Sequence, residues 1–419
     1  MLKLLGYADR YSVVPGEAIA FQVSAEDNQR YQASLVRVIC GDCNPEGPGL
    51  RFETIASGID GSYSGARQTT DSGSYMEAVL PQLDQAEQFS FCAMVWPTLI
   101  EREQQAILSR WNAETGEGFR LLLSAGVLAL EVCAAGDTSR ISLAQTPMLE
   151  RQWYRVGFSI DFDRLEMTLL QSPLKRYARI GDSGDQQGPI HAVADHLGQP
   201  LLLAGQPGAE GRVDQHFDGK IDSPVLFSGI HGVDRYLEFL SAGSNHPAAD
   251  DGAQDDLLAY WDFSDAINTQ RITDRSVNAN HGRLVNMPAR AMKGWNWDGE
   301  FHRWSDHPNH YGAIHFHHDD LYDANWETAF RLRIPPAMKS GAYAVRIYCG
   351  DNTVDATRDY YVPFFVRAPR RPKGARSGRD KIAFLAPTAS YMAYANHSEH
   401  IVAREAERTI GRLLEFGHA

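Results

Sequence analysis

Alternation of apolar and polar residues with a period of two runs through most of the chain. Ile19, Phe21 and Val23 alternate with Ala20, Gln22 and Ser24, which predicts a strand with one apolar and one polar face. Pro15-Gly16 supplies the turn before it. Residues 35–39 predict a second strand, closed by the turn-rich run CGDCNPEGPG. From about 60 to 290 the pattern is of many short strands with no long helix. Residues 89–95, 120–123 and 127–132 read as strands. Tyr154, Val156, Phe158 and Ile160 form one apolar face, Leu165, Met167 and Leu169 another, and Asp163 marks the hairpin between them. This spacing fits an antiparallel sandwich or jelly roll. Beyond 340, Tyr343, Val345, Ile347 and Cys349 share a face, and residues 361–366 give a further strand in which Pro363 marks an edge or a bulge.

The period then changes. After a basic, Pro-containing linker at 371–380, residues 381–385 (KIAFL) read as a short buried strand. Val402, Ala406, Ile410, Leu413 and Leu414 follow at helical spacing, with Ser398 as N-cap and Gly417 as C-cap. Strand, loop and helix form the opening unit of an α/β domain, and one such unit cannot bury its own faces. A near-repeat also links distant parts. Val36-Arg37-Val38-Ile39-Cys40-Gly41-Asp42 matches Val345-Arg346-Ile347-Tyr348-Cys349-Gly350-Asp351 at five of seven positions, each with an Arg read as outward-facing. The expectation is an immunoglobulin-like sandwich, or two related ones, whose parts flank an insertion. The chain divides on this reading into 1–58 and 294–370 as the two parts of that β domain, 59–293 as an inserted jelly roll, and 381–419 as the start of an incomplete α/β domain.

Composition narrows the function classes. The 419 residues are 43% hydrophobic and 22% charged, an ordinary globular balance. A formal charge of −13 argues against nucleic acid and anionic membrane as partners. No apolar run reaches membrane-spanning length, and the first residues lack the long apolar core of a signal peptide, so a cytoplasmic protein is expected. Five Cys are too few for a disulfide scaffold at this length. Cys40 and Cys43 have the CxxC spacing, but no second pair completes a zinc site, and a turn with reduced thiols is expected there. No nucleophile elbow, phosphate loop or HExxH motif occurs.

The chemistry concentrates in residues 294–327, which hold four Trp, five Asp and six of the chain's 15 His. His315, His317, His318, Asp319 and Asp320 are metal ligands by type, and His315 and His317 share a strand face. The competing reading is that these side chains hydrogen-bond loop backbone. Trp295, Trp297, Trp304 and Trp326 could stack a sugar, though clustered Trp more often anchor loops.

The order GWNWDG, then YGAIHFHHDDLYDANW, together with SGAYAVRIYCGD, YYVPFFVRAP and FLAPTASYMAYANH, resembles the large (beta) subunit of N,N-dimethylformamidase. FDGKID at 217–222, WDF at 261–263 and NANHG at 278–282 resemble the closing strands of laminin-G-like, concanavalin-type domains. The first resemblance implies hydrolysis of N-substituted formamides to formate and an amine. It implies a mononuclear iron held by two Tyr and one Glu, a small partner subunit and higher oligomers. One of those Tyr belongs to a segment like SYMAYANH, which carries over to Tyr394, with Tyr391 as the alternative and Asn396 and His397 as supporting groups. The other ligands would lie outside this chain. The family's metal falls in the α/β domain, which favours the backbone-bonding reading of the seam histidines. The alternative function is a non-enzymatic laminin-G-like module binding a glycan or a protein.

Overall fold

The structure is a computed structural model that describes residues 4–27, 29–42, 46–175, 180–193, 198–241, 256–350, 359–369 and 382–393. The protein is mainly β. It divides into two units, one of Met1–Thr70 with Ala324–Ala419, the other Asp71–Asp323. The changeover thus falls at 323/324, later than the sequence boundary at 293/294. Its cause is pairing: Ala289–Met292 pairs with Ala313–Phe316, which in turn pairs with Gly219–Ser228 of the larger unit.

The first unit is a two-sheet sandwich. One sheet has the order Leu4–Ala8, Ala18–Ala25, Thr328–Arg333. The other has Ser12–Val13, Tyr360–Val366, Gly341–Tyr348, Tyr31–Gly41 and Leu50–Ile55, with Gly61–Tyr63 also on Tyr31–Gly41. Ile19, Phe21 and Val23 from the first sheet meet Leu35, Val345, Val362 and Phe364 from the second in one apolar core. The two near-repeat strands are antiparallel neighbours, Val345 opposite Leu35 and Tyr343 opposite Arg37. Pro363 is tolerated because the outer neighbour of its strand covers only Phe365 and Val366, so no ladder bond is asked of its missing N–H.

Three sequence readings are corrected here. The side of Ala18–Ala25 carrying Ala20, Gln22 and Ser24 is buried as well. A segment around Gln68 covers it, its backbone N–H donating to Ser24 Oγ (2.9 Å) and its side chain to the Val23 carbonyl (2.8 Å). Arg346 does not face outward. It is buried, its Nε 2.7 Å from Asp359 Oδ2 and its guanidinium over the Tyr348 ring. Residues 382–385 form no strand, and Ile382, Phe384 and Leu385 are 89%, 81% and 91% exposed. Among the described residues no strand pairs with this run, and its apolar side chains stay in solvent. The loop leads to a short helix, Thr388–Ala393. The helix expected over 398–417 lies outside the described residues, as do Cys43 and Asp351. Cys40 is a free thiol.

The larger unit is a sandwich whose halves are linked through Arg271–Asp274. One half runs from Asp137–Ser142 through Val127–Ala134, Glu117–Ser124, Gln105–Asn112, Leu201–Leu203 and Tyr75–Ala78 to Gly282–Val285. The other runs from Leu257–Asp262 through Gly219–Ser228, Gln88–Pro97, Tyr154–Asp161 and Glu166–Pro173 to Gly184–Pro189. Phe89, Phe91, Phe119, Phe158, Leu121, Leu130 and Trp261 fill the space between them. The hairpin at Asp163 is present. However, Leu165 belongs to its turn, with φ 55°, and not to the strand face of Met167 and Leu169. A second apolar cluster of Cys92, Met94, Val225, Phe227, Tyr236 and Phe239 covers the outer side of Gln88–Pro97 and Gly219–Ser228. Its lid is the helix Val233–Ser241, which places Tyr236 and Phe239 on one face. This double burial is why 89–95 reads as a continuous apolar run.

The buried Arg346–Asp359 pair yields a prediction. Asp359→Ala leaves a guanidinium desolvated without its partner, and chemical denaturation should show a loss of about 3–5 kcal/mol. Replacing both residues by apolar ones of similar size should recover most of it.

Candidate functional site

The polar seam of the larger unit is built on one strand. Along 217–222 the side chains alternate. Phe217 and Ile221 enter the core, while Asp218, Lys220 and Asp222 point to the other side. Asp218 is almost fully buried. It pairs with Arg102, and it accepts hydrogen bonds from the backbone N–H of His318 (3.1 Å) and from His318 Nδ1 (2.9 Å). The Arg102 guanidinium also donates to the His216 carbonyl at 3.0 Å. One carboxylate therefore fixes both the chain after the strand Ala313–Phe316 and the loop holding Arg102.

Ser74, His317 and Asp320 form the second group. Ser74 Oγ donates to Asp320 Oδ2 at 2.6 Å and accepts from the His317 N–H at 3.1 Å. Ser74 N donates to the His317 carbonyl at 2.9 Å, and Gly73 N to the Asp320 carbonyl at 2.8 Å. His317 Nδ1 is 3.2 Å from Asp320 Oδ2, and this hydrogen bond raises the imidazole's pKa. His315 differs. It makes no such bond, its buried Nε2 has no partner, and its ring lies 4.0 Å from that of His317. Burial, then His317 and Lys220, lower its pKa to about 4, so it is neutral at physiological pH.

The third group surrounds Asp222. A one-residue bulge separates Asp222, opposite Met94, from Val225, opposite Cys92, and Ser223 takes φ 49° within it. The bulge turns Asp222 toward the loop that begins at Gly294. The carboxylate accepts from Ser223 Oγ (3.0 Å) and from Trp295 N (3.3 Å). Gly294 is required by close approach, since a Cβ there would stand 2.5 Å from Asp222 Oδ2. Burial dominates and raises the Asp222 pKa to about 6 against the hydrogen bonds that lower it. Asp262 adds to the rise.

The seam residues thus serve mainly as loop holders. His317, His318 and Asp320 bond backbone or side chains of the loops they join. Asp319 is exposed, and His315 takes no part in this bonding. Among the described residues, no three His, Cys, Asp or Glu are placed to hold a metal ion. The tryptophans anchor loops too. Trp295 Nε1 donates to Ser223 Oγ, Trp297 Nε1 to the Phe301 carbonyl and, in the first unit, Trp326 Nε1 to the Thr69 carbonyl. Trp304 is partly exposed. Sequence reasoning missed Asp218, Asp222 and Arg102. The alternation of FDGKID was the available signal, since it puts two carboxylates and a lysine on one face.

Tyr391 lies on the helix Thr388–Ala393, 42% exposed. Its ring packs against Phe365 (6.4 Å, parallel) and Tyr11 (6.1 Å). Tyr394, Asn396 and His397 lie outside the described residues. As a test of the implied iron, Tyr391 offers one phenol oxygen beside two aromatic rings. That is not a donor set able to hold the metal.

Comparison with known proteins finds the following similarities. Residues 289–413 match the family described as N,N-dimethylformamidase beta subunit-like, C-terminal. Over 94% of its length the chain is 34% identical to the N,N-dimethylformamidase beta subunits of Paracoccus aminophilus and of an Alcaligenes species. It spans 52% of the length of each, about half. Solved structures show slighter likeness. A SAP-like pentraxin from Limulus polyphemus has TM-score 0.30 at 13% identity, covering 52% of this chain and 85% of that one. The CBM40 of Ruminococcus gnavus IT-sialidase has TM-score 0.31 at 15% identity, covering 41% and 96%.

Two outcomes test the seam. Asp218→Ala should cost about 3–5 kcal/mol in denaturant unfolding, because it strands Arg102 and frees the His318 backbone. For Asp222 the folded pKa lies above the unfolded one. The folded state therefore holds the extra proton, and this residue's contribution to stability falls as pH rises from about 4 to about 6. Asp222→Asn should remove that slope and match or exceed the parent's stability at pH 8, by about 1–3 kcal/mol. An unchanged pH profile between 4 and 6 would show that Asp222 ionises normally.

Proposed function

We propose, from the chain's kinship over nearly its whole length with the N,N-dimethylformamidase beta subunits, that it is the β-rich part of the large subunit of an amidohydrolase acting on N-substituted formamides. The reaction adds water across the amide C–N bond, so that N,N-dimethylformamide gives formate and dimethylamine. The 34% identity along 94% of the chain carries this reading. The family match over 289–413 supports it, because that segment includes both the seam and the SYMAYANH stretch.

Within this reading the chain supplies scaffold and one metal-binding phenol. By the resemblance of SYMAYANH to the family's iron-ligand segment, Tyr394 is the iron ligand we propose, with Tyr391, whose ring packs against Phe365 and Tyr11, as the alternative. Asn396 and His397 would support it, and the remaining ligands would come from outside this chain. Iron, when bound, would supply Lewis-acid polarisation of the amide carbonyl. A phenol, with a pKa near 10, is an effective ligand only to a strong Lewis acid of this kind. The relatives' description as beta subunits supports a partner subunit; that it is small, and that the assembly is a higher oligomer, we carry over from the resemblance. No described helix is long and apolar enough to cross a membrane.

The test uses the complete assembled enzyme. Tyr394→Phe should lose iron, the visible tyrosinate-to-iron band and formamide hydrolysis, with the fold retained by circular dichroism. Tyr391→Phe should keep all three. The reverse pattern would assign the ligand to Tyr391. No effect from either would remove this segment from the metal site, and glycan binding by an assembly without amidase activity would favour the binding-module alternative.

A further inference from the structure

The chain between Met292 and Ala313 leaves the sheet and returns to the same place, since these two residues stand opposite each other on paired strands. Its neck is closed by Gly294 N, which donates to the His310 carbonyl at 2.9 Å. Much of its bonding is internal. Trp297 Nε1 and the Tyr311 hydroxyl both donate to the Phe301 carbonyl (2.9 and 2.8 Å), and Asn296 Nδ2 donates to the Asn309 carbonyl (3.1 Å). A loop whose ends meet and whose contacts are largely its own can move as one body. Among the described residues, its hydrogen bonds to the rest of the larger unit run to Asp222, Ser223 and Ser264. The Trp295 ring also packs on the apolar cluster under the helix Val233–Ser241.

Asp222 is the centre of that attachment. Both stems of the loop press on it. A Cβ on Gly294 would stand 2.5 Å from Oδ2, and one on Gly312 would stand 3.3 Å from Oδ1. The carboxylate is thus enclosed between its own strand and the loop neck. Its donors, Ser223 Oγ and Trp295 N, are neutral, and among the described residues it enters no salt bridge. An enclosed anion without a paired cation is costly, and it is relieved either by a proton or by water. The surroundings do little to lower that cost. Asp262, on Leu257–Asp262, repels a charge at Asp222. Burial keeps the phenols of Tyr260 and Tyr236 neutral and pushes the thiol of Cys92, which acts on Tyr236, up to about 12. Arg155 acts on Tyr236 in the opposite sense. Lys220 attracts the charge, though burial and Lys293 lower its own pKa. His310 meets the neck through its carbonyl, with its ring 3.4 Å from Asp298. Burial outweighs the hydrogen bonds, and the Asp222 carboxyl rises to about 6. Opening the neck admits water and returns it toward about 3.9.

We propose that Asp222 is a proton-sensitive latch, which holds the loop 294–312 closed when its carboxyl is protonated and lets the loop open as a unit on its Met292–Ala313 base when the carboxylate is ionised. The closed loop binds the proton more tightly than the open one. Protonation therefore favours closure fully below about pH 4, and this advantage is lost as pH rises to about 6.

Hydrogen exchange of the whole chain, read by mass spectrometry on peptides covering 293–312, tests the latch. Each rate is divided by the intrinsic chemical rate at that pH. Protection at Gly294, Trp295 and Trp297 should fall about tenfold from pH 5 to pH 7 and level off above. Asp222→Asn keeps the shape and cannot titrate, so its protection should be flat with pH. Low urea should leave exchange in the loop unchanged, as local opening requires, while it speeds exchange in the core strand Glu117–Ser124. Thermal melts confirm that Asp222→Asn folds, and should it fail, the parent's loop and core profiles against pH and urea carry the test. Protection in the parent that is flat with pH, the same pH dependence in folded Asp222→Asn, or a loop that exchanges only together with the core would each overturn the proposal.

Discussion

The larger unit depends on how a single strand handles charge. Gly219–Ser228 pairs with Gln88–Pro97, with Leu257–Asp262 and, over its first residues, with Ala313–Phe316. Its inner side chains belong to the main core. On the other side, at the place where the sheet is about to be covered, it presents acid, base, acid at 218, 220 and 222. A bare carboxylate in such a position costs several kcal/mol. The fold answers by giving each acid a loop to hold: Asp218 receives Arg102 and the backbone at His318, and Asp222 receives the backbone at Trp295. The loops lack strand partners for these N–H groups, and the carboxylates are the acceptors they need.

The smaller unit solves a different problem. Its two sequence parts are separated by the whole 71–323 insertion, yet Tyr31–Gly41 and Gly341–Tyr348 are adjacent strands. Closing so long a loop costs little more than closing a short one, because the entropy grows only with the logarithm of length. The insertion carries its own core, which includes Phe89, Phe119, Phe158 and Trp261.

Much of this was legible as pattern. Alternation and apolar runs located nine of the described strands, and the repeat at 36–42 and 345–351 pointed to segments that turn out to be neighbouring strands. The density of Trp, His and Asp marked 294–327 as unusual, though the unit boundary falls inside it, at 323. Pattern failed where long-range partners decide the outcome. Arg346 reads as exposed until Asp359 supplies a buried counter-charge. Leu165 reads as a strand residue until the hairpin requires φ 55° there. The helix Val233–Ser241 was overlooked because nine residues give few turns of periodicity, although Tyr236 and Phe239 carry the spacing. His315 was expected to bond like its neighbours, but on a strand only the residues at its end, His317 and His318, reach the loops.

The run at 382–385 shows the same limit from the other direction. KIAFL has the composition of a buried strand, and yet Ile382, Phe384 and Leu385 are exposed. Burial of three such side chains is worth several kcal/mol, at about 1.5–3 kcal/mol each, but only against a surface that offers apolar area and free backbone groups together. The Thr388–Ala393 helix finds a limited version of this by laying Tyr391 on Phe365 and Tyr11. The segment before it finds none among the described residues. Hydrophobic pattern therefore states a requirement for a partner, and geometry decides whether the partner is present.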